Sequence, residues 1–215
     1  MAAARQPTAR HGAGVDKRRI ILDAAVRVFA RQGFYRCRVS DVADEAGVAY
    51  GLVYHYFKSK DQVLNELFTE RWSLLLATIE EVDGQAIGAR EKLDAVAHFI
   101  IDSYRHEPDL MKVIIVEVTR AANSFGRTHL PEIRRAYDMI AKIVADAQSS
   151  GDFRRDVDPE FASMWFYGAI EQLLSGWIFE LIPGGEENFD RAREMVVETI
   201  CGGLEAGSAA SSGGR

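Results

Sequence analysis

The sequence predicts an all-α protein of about nine helices. A small basic N-terminal module of three helices precedes a larger acidic helical body. Three observations carry that prediction. Apolar residues recur at three- and four-residue spacing along most of the 215-residue chain, and no credible strand competes with them. Gly and Pro punctuate the pattern at helix ends. Charge is divided: residues 1–60 hold 11 Lys and Arg against 5 Asp and Glu, a net of +6, whereas the rest holds 15 against 27, a net of −12. A basic module ahead of an acidic body points to nucleic-acid contact at one end, ordinary charge scatter being the alternative.

Composition removes several classes. With 47% hydrophobic and 27% charged residues the chain is an ordinary globular one. No apolar run approaches the ~18 residues of a membrane span. Met1–Gly14 has basic residues but no apolar core, so it is not a secretory signal. Two distant cysteines, Cys37 and Cys201, make neither a disulfide framework nor a zinc site. A reducing cytoplasm fits.

Residues 1–14 and 206–215, rich in Ala, Gly and Ser, are expected to be disordered. Residues 15–58 form the DNA-binding domain. Asp16–Gln32 carries Ile21, Ala25, Val28 and Phe29 on one face and stops at Gly33. Val39, Val42, Ala43 and Ala46 give a two-turn helix closed by Gly47. A third runs from about Ala49 to Phe57, with Val53 and Phe57 inward. Residues 59–205 form the second domain. Ser59 and Gln62 read as a capping box opening a helix to about Val82, which spans about 35 Å. Further helices are expected over Ala89–His106, Pro108–Asn123, Pro131–Ser150, Pro159–Leu181 and Asn188–Leu204. Within the second of these, Met111–Thr119 is rich in β-branched residues and is the nearest thing to a strand.

A short helix, a Gly turn and a second short helix describe a helix-turn-helix. The segment VSDVADEAGVAYGLVYHYFKSKDQVLNELF, preceded by IILDAAVRVFARQGF, resembles the N-terminal module of TetR-family transcriptional regulators from about Arg18 to Phe68. The resemblance implies a homodimeric repressor of double-stranded operator DNA, with an N-terminal three-helix DNA-binding domain that holds the helix-turn-helix and a C-terminal helical ligand-binding and dimerisation domain. The residues themselves agree. With Val53 and Phe57 inward, Tyr50, Tyr54 and Lys58 form the opposite ridge, and Gly51 and His55 the adjoining one. Tyr and His donate to phosphate, and Lys58 and Lys60 supply charge. Gly51 admits close approach of the backbone, and Ala49 and Leu52 offer apolar contact to a thymine methyl. Tyr56 follows the inward side. The family's usual Thr or Ser cap of the second helix falls, in register, on Cys37, a poor cap. Arg38 follows it, able to reach phosphate. A thiolate at Cys37 stabilised by Arg36 and Arg38 would make a redox sensor; a buried small residue is the plainer reading.

In the second domain Met111, Ile114, Ile115 and Val118 belong to a helix apolar around nearly its whole girth. Phe99, Tyr104, Tyr137 and Trp165 lie on neighbouring helices. Core packing explains most such residues; a hollowed core of the kind the family uses would make these eight, with Arg120, a ligand site. Glu117 and Glu171 interrupt apolar stretches, either as anchors for a cationic ligand or as partners of arginines such as Arg105, Arg120 or Arg134. The run AREKLDAVAHF, then VEVTRAANS, then FASMWFYGAIEQLLSGWIF, is similar to the fatty-acid-degradation (FadR-like) branch of the family. That resemblance implies release from DNA by long-chain acyl-CoA, its chain in an apolar tunnel and Arg105, Arg120, Arg127, Arg134 and Arg135 near its phosphates. The alternative is a repressor of an efflux or degradation operon that answers an aromatic or cationic drug-like ligand. Trp165, Gly168, Gln172, Ser175 and Phe179 share a broad stripe that suits a four-helix bundle with a symmetry mate, an intrachain face being the alternative. No catalytic triad, phosphate loop or metal-ligand set is present, so no enzyme, no cofactor and no metal are expected.

Overall fold

The computed structural model describes residues 11–119 and 128–205, the side chains at 11–16, 118 and 119 excepted. These residues form nine α-helices and a π-helical segment, with no strand. They fall into two compact units that divide between Phe68 and Thr69.

The first unit holds α1 (His11–Gln32), α2 (Val39–Ala46), α3 (Tyr50–Tyr56) and the first turns of α4 (Lys60–Asp83). Helix α1 begins inside the segment expected to be disordered up to Gly14. Its core is the predicted face: Ile21, Ala25, Val28 and Phe29 are buried with Val42, Val53 and Phe57. Val63, Leu64, Leu67 and Phe68 of α4 are buried too. That is why the division falls ten residues beyond the expected boundary at 58: the opening of α4 completes this core. Gly47, at φ 63°, closes α2, and Val48 N–H donates to the Ala43 carbonyl at 3.0 Å, a turn that needs a residue at ease with positive φ. Ser59 accepts from the Gln62 N–H at 3.2 Å, as the capping box requires. The Gln62 side chain reaches back one residue further than expected, to the Lys58 N–H at 2.7 Å. Arg27 and Arg31 of α1 both bind Glu45, at 2.7 and 3.0 Å.

The second unit holds the remainder of α4, then α5 (Ala89–His106), α6 (Pro108–Val113), a π-helical segment (Ile114–Thr119), α7 (Leu130–Ser150), α8 (Pro159–Ile178) and α9 (Glu186–Leu204). The segment from Met111 to Thr119 is helical, not a strand, but the α-helix expected to Asn123 ends at Val113. Consecutive β-branched side chains crowd an α-helical turn, and the backbone here takes the wider π winding. Residues 120–123 lie outside the described ones. Helix α7 packs along α8, and α9 packs on α5 and α8. Arg193 reaches Asp94 at 2.7 Å and Arg105 reaches Asp190 at 2.7 Å, tying α9 to α5. Asp83 closes α4 between Lys142 of α7 at 2.8 Å and Lys92 at 3.3 Å. The two ammonium groups, Lys142 foremost, hold its carboxyl below the usual range against the opposing effect of burial. After α8 the chain folds back so that the Ile182 side chain lies 2.8 Å from where a Cβ on Gly176 would stand; a larger residue there would require Ile182 to shift.

Candidate functional site

In the first unit α3 is a short helix with one buried residue, Val53, and Phe57 buried at its end. Those two fix its inner side. Tyr50, Gly51, Tyr54, His55 and Lys58 are exposed on the rest of it, Ala49 is exposed at its start, and Leu52 is half-buried. The ridge is organised: the Tyr50 hydroxyl donates to that of Tyr54 at 3.2 Å, with ring centres 5.1 Å apart. That bond, foremost, pushes the Tyr54 phenol above its usual value, which keeps Tyr54 a neutral donor near neutral pH. Tyr56 is half-buried against His55. Gly51 has nothing within 4 Å of a built Cβ, which leaves its backbone open to approach.

Two expectations change at the edge of this face, the cap of α2 and Lys60, and the plainer reading of Cys37 holds. The cap of α2 is Arg38, not Cys37, and the Arg38 N–H is received by the Asp41 carboxylate at 2.7 Å. Cys37 is buried, its thiol donating to the Phe34 carbonyl at 3.3 Å, so it is the packed small residue. Lys60 is turned inward. Its ammonium donates to the carbonyls of Phe34 and Cys37, the latter at 2.9 Å, and lies 4.4 Å from the Phe34 ring centre. Carbonyls of the turn between α1 and α2, together with the Phe34 ring, hold it there. Tyr35, 65% exposed in the same turn, was missed; a lone aromatic beside a helix stop carries no signal of its exposure.

The second unit contains an apolar cavity walled by α4, α5, α6 with its π segment, and α8. Phe99, Met111, Ile114 and Ile115 line it as expected. So do Arg71, Trp72 and Leu75 of α4, Ile100 and Ser103 of α5, and Tyr167, Glu171 and Leu174 of α8. Of these eight, only Glu171 stands out in the sequence; the 167–171–174 spacing is that of any buried helix face, and α4 reads as a connector. The free space inside is about 20 Å³, room for one water. Trp72 donates to the Glu132 carbonyl at 2.9 Å. Tyr137 does not line the cavity but stands behind Tyr167, ring centres 5.3 Å apart. Burial, then the Glu171 charge, pushes Tyr137 up to about 12 and Tyr167 well above its usual value.

Other expected lining residues lie elsewhere. Tyr104 stacks on Trp177 at 5.5 Å and meets Phe189 edge-on, in a separate aromatic cluster. Trp165 is 57% exposed beside Phe161, on the outside of α8. Arg120, Arg127 and the Val118 side chain lie outside the described residues. Arg105 is held by Asp190, Glu186 and Asp102 instead of awaiting a phosphate, whereas Arg134 and Arg135 are exposed. Along α8, Trp165, Gly168, Gln172 and Phe179 are exposed, but Ser175 is buried within the chain, its hydroxyl donating to the Glu171 carbonyl. A larger surface depression of about 660 Å³ between α5 and α9 is lined by Glu91, Asp94, Glu194, Glu198 and Arg90, with Arg90 paired to Glu198 and Arg193 to Asp94. Among the described residues no group of His, Cys, Asp and Glu could hold a metal ion, and no helix is long and apolar enough to cross a membrane.

Residues 21–67 match the bacterial regulatory proteins of the tetR family, and residues 90–200 match the tetracyclin repressor-like C-terminal domain. The chain belongs to the TetR family. It is a DNA-binding transcriptional regulator and not an enzyme. It is 30% identical over 161 residues to the fatty acid metabolism regulator protein of Bacillus subtilis (strain 168), covering 74% of this chain and 81% of the relative. It is 26% identical over 200 residues to the transcriptional repressor KstR2 of Rhodococcus jostii (strain RHA1), covering 92% and 96%. The crystal structure of the transcriptional regulator FadR from Bacillus subtilis in complex with stearoyl-CoA superposes with a TM-score of 0.76. Its identity is 26%, over 87% of this chain and 99% of that one. This TetR-family chain thus pairs the family's DNA-reading module with a lined cavity in its second unit.

Proposed function

We propose that this protein is a homodimeric cytoplasmic repressor that leaves its operator when a long-chain acyl-CoA enters the cavity of the second unit. The observation that carries the reading is the cavity wall itself: a sheath of Phe, Ile, Met, Leu and Trp with a few polar groups, the lining that receives an apolar chain. The stearoyl-CoA bound to the Bacillus subtilis FadR supports the choice of ligand. The nearly closed state of the cavity supports the switch. An acyl chain cannot fit in the space of one water, so it binds only a conformation in which the walls have parted. Such a ligand has the differential affinity for two states that regulation requires. Helix α4 contributes Arg71, Trp72 and Leu75 to the wall and starts at Lys60, beside the helix-turn-helix. Movement of the wall is therefore movement of α4.

Operator reading is assigned to Tyr50, Gly51, Tyr54, His55 and Lys58 with Arg38, and dimerisation to the outer stripe of α8 with α9. Phe161, Met164 and Trp165 on α8, and Phe179, Leu181 and Ile182 in the turn that follows it, are exposed large apolar side chains, an unusual concentration for a surface facing only water. Glu171 in the wall favours one second reading, a cationic drug-like effector held by its carboxylate. Titration of operator-bound protein with stearoyl-CoA and, in parallel, with an aromatic cation separates the two. Release by stearoyl-CoA alone is expected; release by the cation alone would replace acyl-CoA as the effector.

A further inference from the structure

Arg71 is the one cationic side chain in a mostly apolar wall. It stands on α4, and its side chain is only 13% exposed. One guanidinium nitrogen donates to the Ser103 hydroxyl at 3.1 Å, and the other terminal nitrogen pairs with the Glu107 carboxylate, at the junction of α5 and α6. The two partners differ in a way that matters. Glu107 is 41% exposed, so water can take over its carboxylate if the pair opens. Arg71 has no such recourse; a guanidinium withdrawn from water needs another acceptor.

The other polar groups of the wall are committed or of the wrong sign. Ser103 donates to the Phe99 carbonyl at 2.7 Å, and Trp72 donates to the Glu132 carbonyl. Glu171 is a carboxylate and accepts. Among the lining residues Arg71 is the one cationic donor. A ligand carrying an acceptor oxygen at the end of an apolar chain meets it there.

We propose that Arg71 reads the effector's acceptor oxygen, and that Glu107 is the internal competitor the effector displaces. This rests on the acyl-CoA reading above and adds the residue that recognises the polar end. The exchange also acts on the switch. The Arg71–Glu107 pair ties α4 to the α5–α6 junction, and an effector oxygen that takes Arg71 unties it. Recognition and release then belong to one side chain. The acceptor oxygen has two sources in an acyl-CoA, the thioester carbonyl and the CoA moiety with its pantetheine amides and phosphates.

The test is equilibrium binding of stearoyl-CoA, and of its thioether analogue S-octadecyl-CoA, to the full-length protein and two variants. Arg71→Met keeps length and loses the donors; it should weaken stearoyl-CoA binding by about tenfold or more. Glu107→Gln removes the competitor's charge at a half-exposed site; it should strengthen binding by roughly twofold to fivefold. Operator release should move with each, to higher effector concentration for Arg71→Met and to lower for Glu107→Gln. Opposite signs from the two ends of one ion pair are what a merely structural pair would not give. If Arg71→Met weakens stearoyl-CoA but not the thioether, the oxygen read is the thioester carbonyl; if it weakens both, the oxygen belongs to the CoA moiety. Should Arg71→Met fold poorly, Glu107→Gln alone decides, and affinity that is unchanged or lower overturns the proposal. Wild-type protein that fails to bind stearoyl-CoA overturns the acyl-CoA reading, and this inference falls with it. Wild-type binding with both variants unchanged overturns this inference alone.

Discussion

Lys58 and Lys60 stand two residues apart in the sequence and do different work. Lys58 is exposed beside the tyrosine ridge; Lys60 holds two carbonyls of the turn between α1 and α2. Each phosphate neutralised by a lysine adds about one unit to the salt dependence of binding. Lys58→Ala should therefore lower that slope by about one, measured by fluorescence anisotropy at several salt concentrations. Lys60→Met should leave the slope alone and lower the stability of the first unit by about 1.5–3 kcal/mol, the range for hydrogen bonds to a charged group, read from a denaturant melt. A fallen slope with unchanged stability in Lys60→Met would return Lys60 to the DNA face. Tyr54→Phe removes one hydroxyl from the ridge and should weaken operator binding by about 1 kcal/mol; an unchanged affinity would confine Tyr54 to a supporting role. The exposed ridge was legible because Val53 and Phe57, four apart, fix the inner side of a seven-residue helix. The fate of Lys60 was not, because its partners lie 26 and 23 residues back and are backbone atoms, which no side-chain pattern records. The cap of α2 was misread by one residue, since Asp41 can receive the N–H of whichever residue the turn brings to it.

Helices themselves were legible wherever an apolar face met a Gly or Pro stop. Predicted starts at Ala89, Pro108 and Pro159, and ends at Gln32 and Ser150, agree with the structure. What failed was winding: Ile114–Thr119 is π-helical, a choice between two hydrogen-bond registers that leaves the same apolar pattern. The cavity was half legible for a related reason. Periodicity identifies a buried helix face but not whether it faces another helix or a space, so Tyr104 and Trp165 were assigned to a wall they do not line. Helix α8 offers the plainest test at this scale. Its exposed Trp165 stands near Gly168, where nothing lies within 4 Å of a built Cβ, so a second copy can approach closely. Trp165→Glu should raise the dimer dissociation constant by about thirtyfold or more, the ~2 kcal/mol or more of an interface anchor. Light scattering across a dilution series measures it, and an unperturbed dimer would move the interface off this stripe. At the start of α7, His129 is buried, and burial holds it below its usual pKa against a smaller opposing effect of the Glu132 charge. The unfolded chain then takes up a proton at a pH where the folded one does not. This contribution to stability is complete above the ordinary histidine pKa and declines as pH falls through it toward the lowered value. Between about pH 7.5 and about pH 5.5, on either side of the ordinary histidine value, the melting temperature should fall less in His129→Gln than in wild type. Equal falls would exclude this histidine as the cause.

At the scale of the whole molecule the question is how filling a cavity in one unit changes affinity for DNA in the other. The cavity has room for about one water in the state described, so effector binding and wall opening are one event, and the energy of opening is subtracted from the effector's affinity. If the operator favours the closed state, it adds to that subtraction. The coupling is then a single free energy seen from two sides. A hundredfold preference of the effector for the open state corresponds to about 2.7 kcal/mol, sufficient to empty a marginally occupied operator. Saturating stearoyl-CoA should therefore raise the operator dissociation constant by some factor, and saturating operator should raise the stearoyl-CoA dissociation constant by the same factor. Both are measured by titration at one temperature and one salt concentration, since salt alters the DNA arm alone. Widening the cavity separates opening from filling. Leu174→Ala, at a residue that is 1% exposed in the wall, should cost about 2–5 kcal/mol of stability, because the wall relaxes only in part around the space left. The same space reduces how far the walls must part for the acyl chain. Stearoyl-CoA should then bind Leu174→Ala more tightly, and operator should weaken that binding by a smaller factor than in wild type. Equal stearoyl-CoA affinity for free and operator-bound wild-type protein would mean that opening and DNA release are separate events, and α4 would not be the element that joins them.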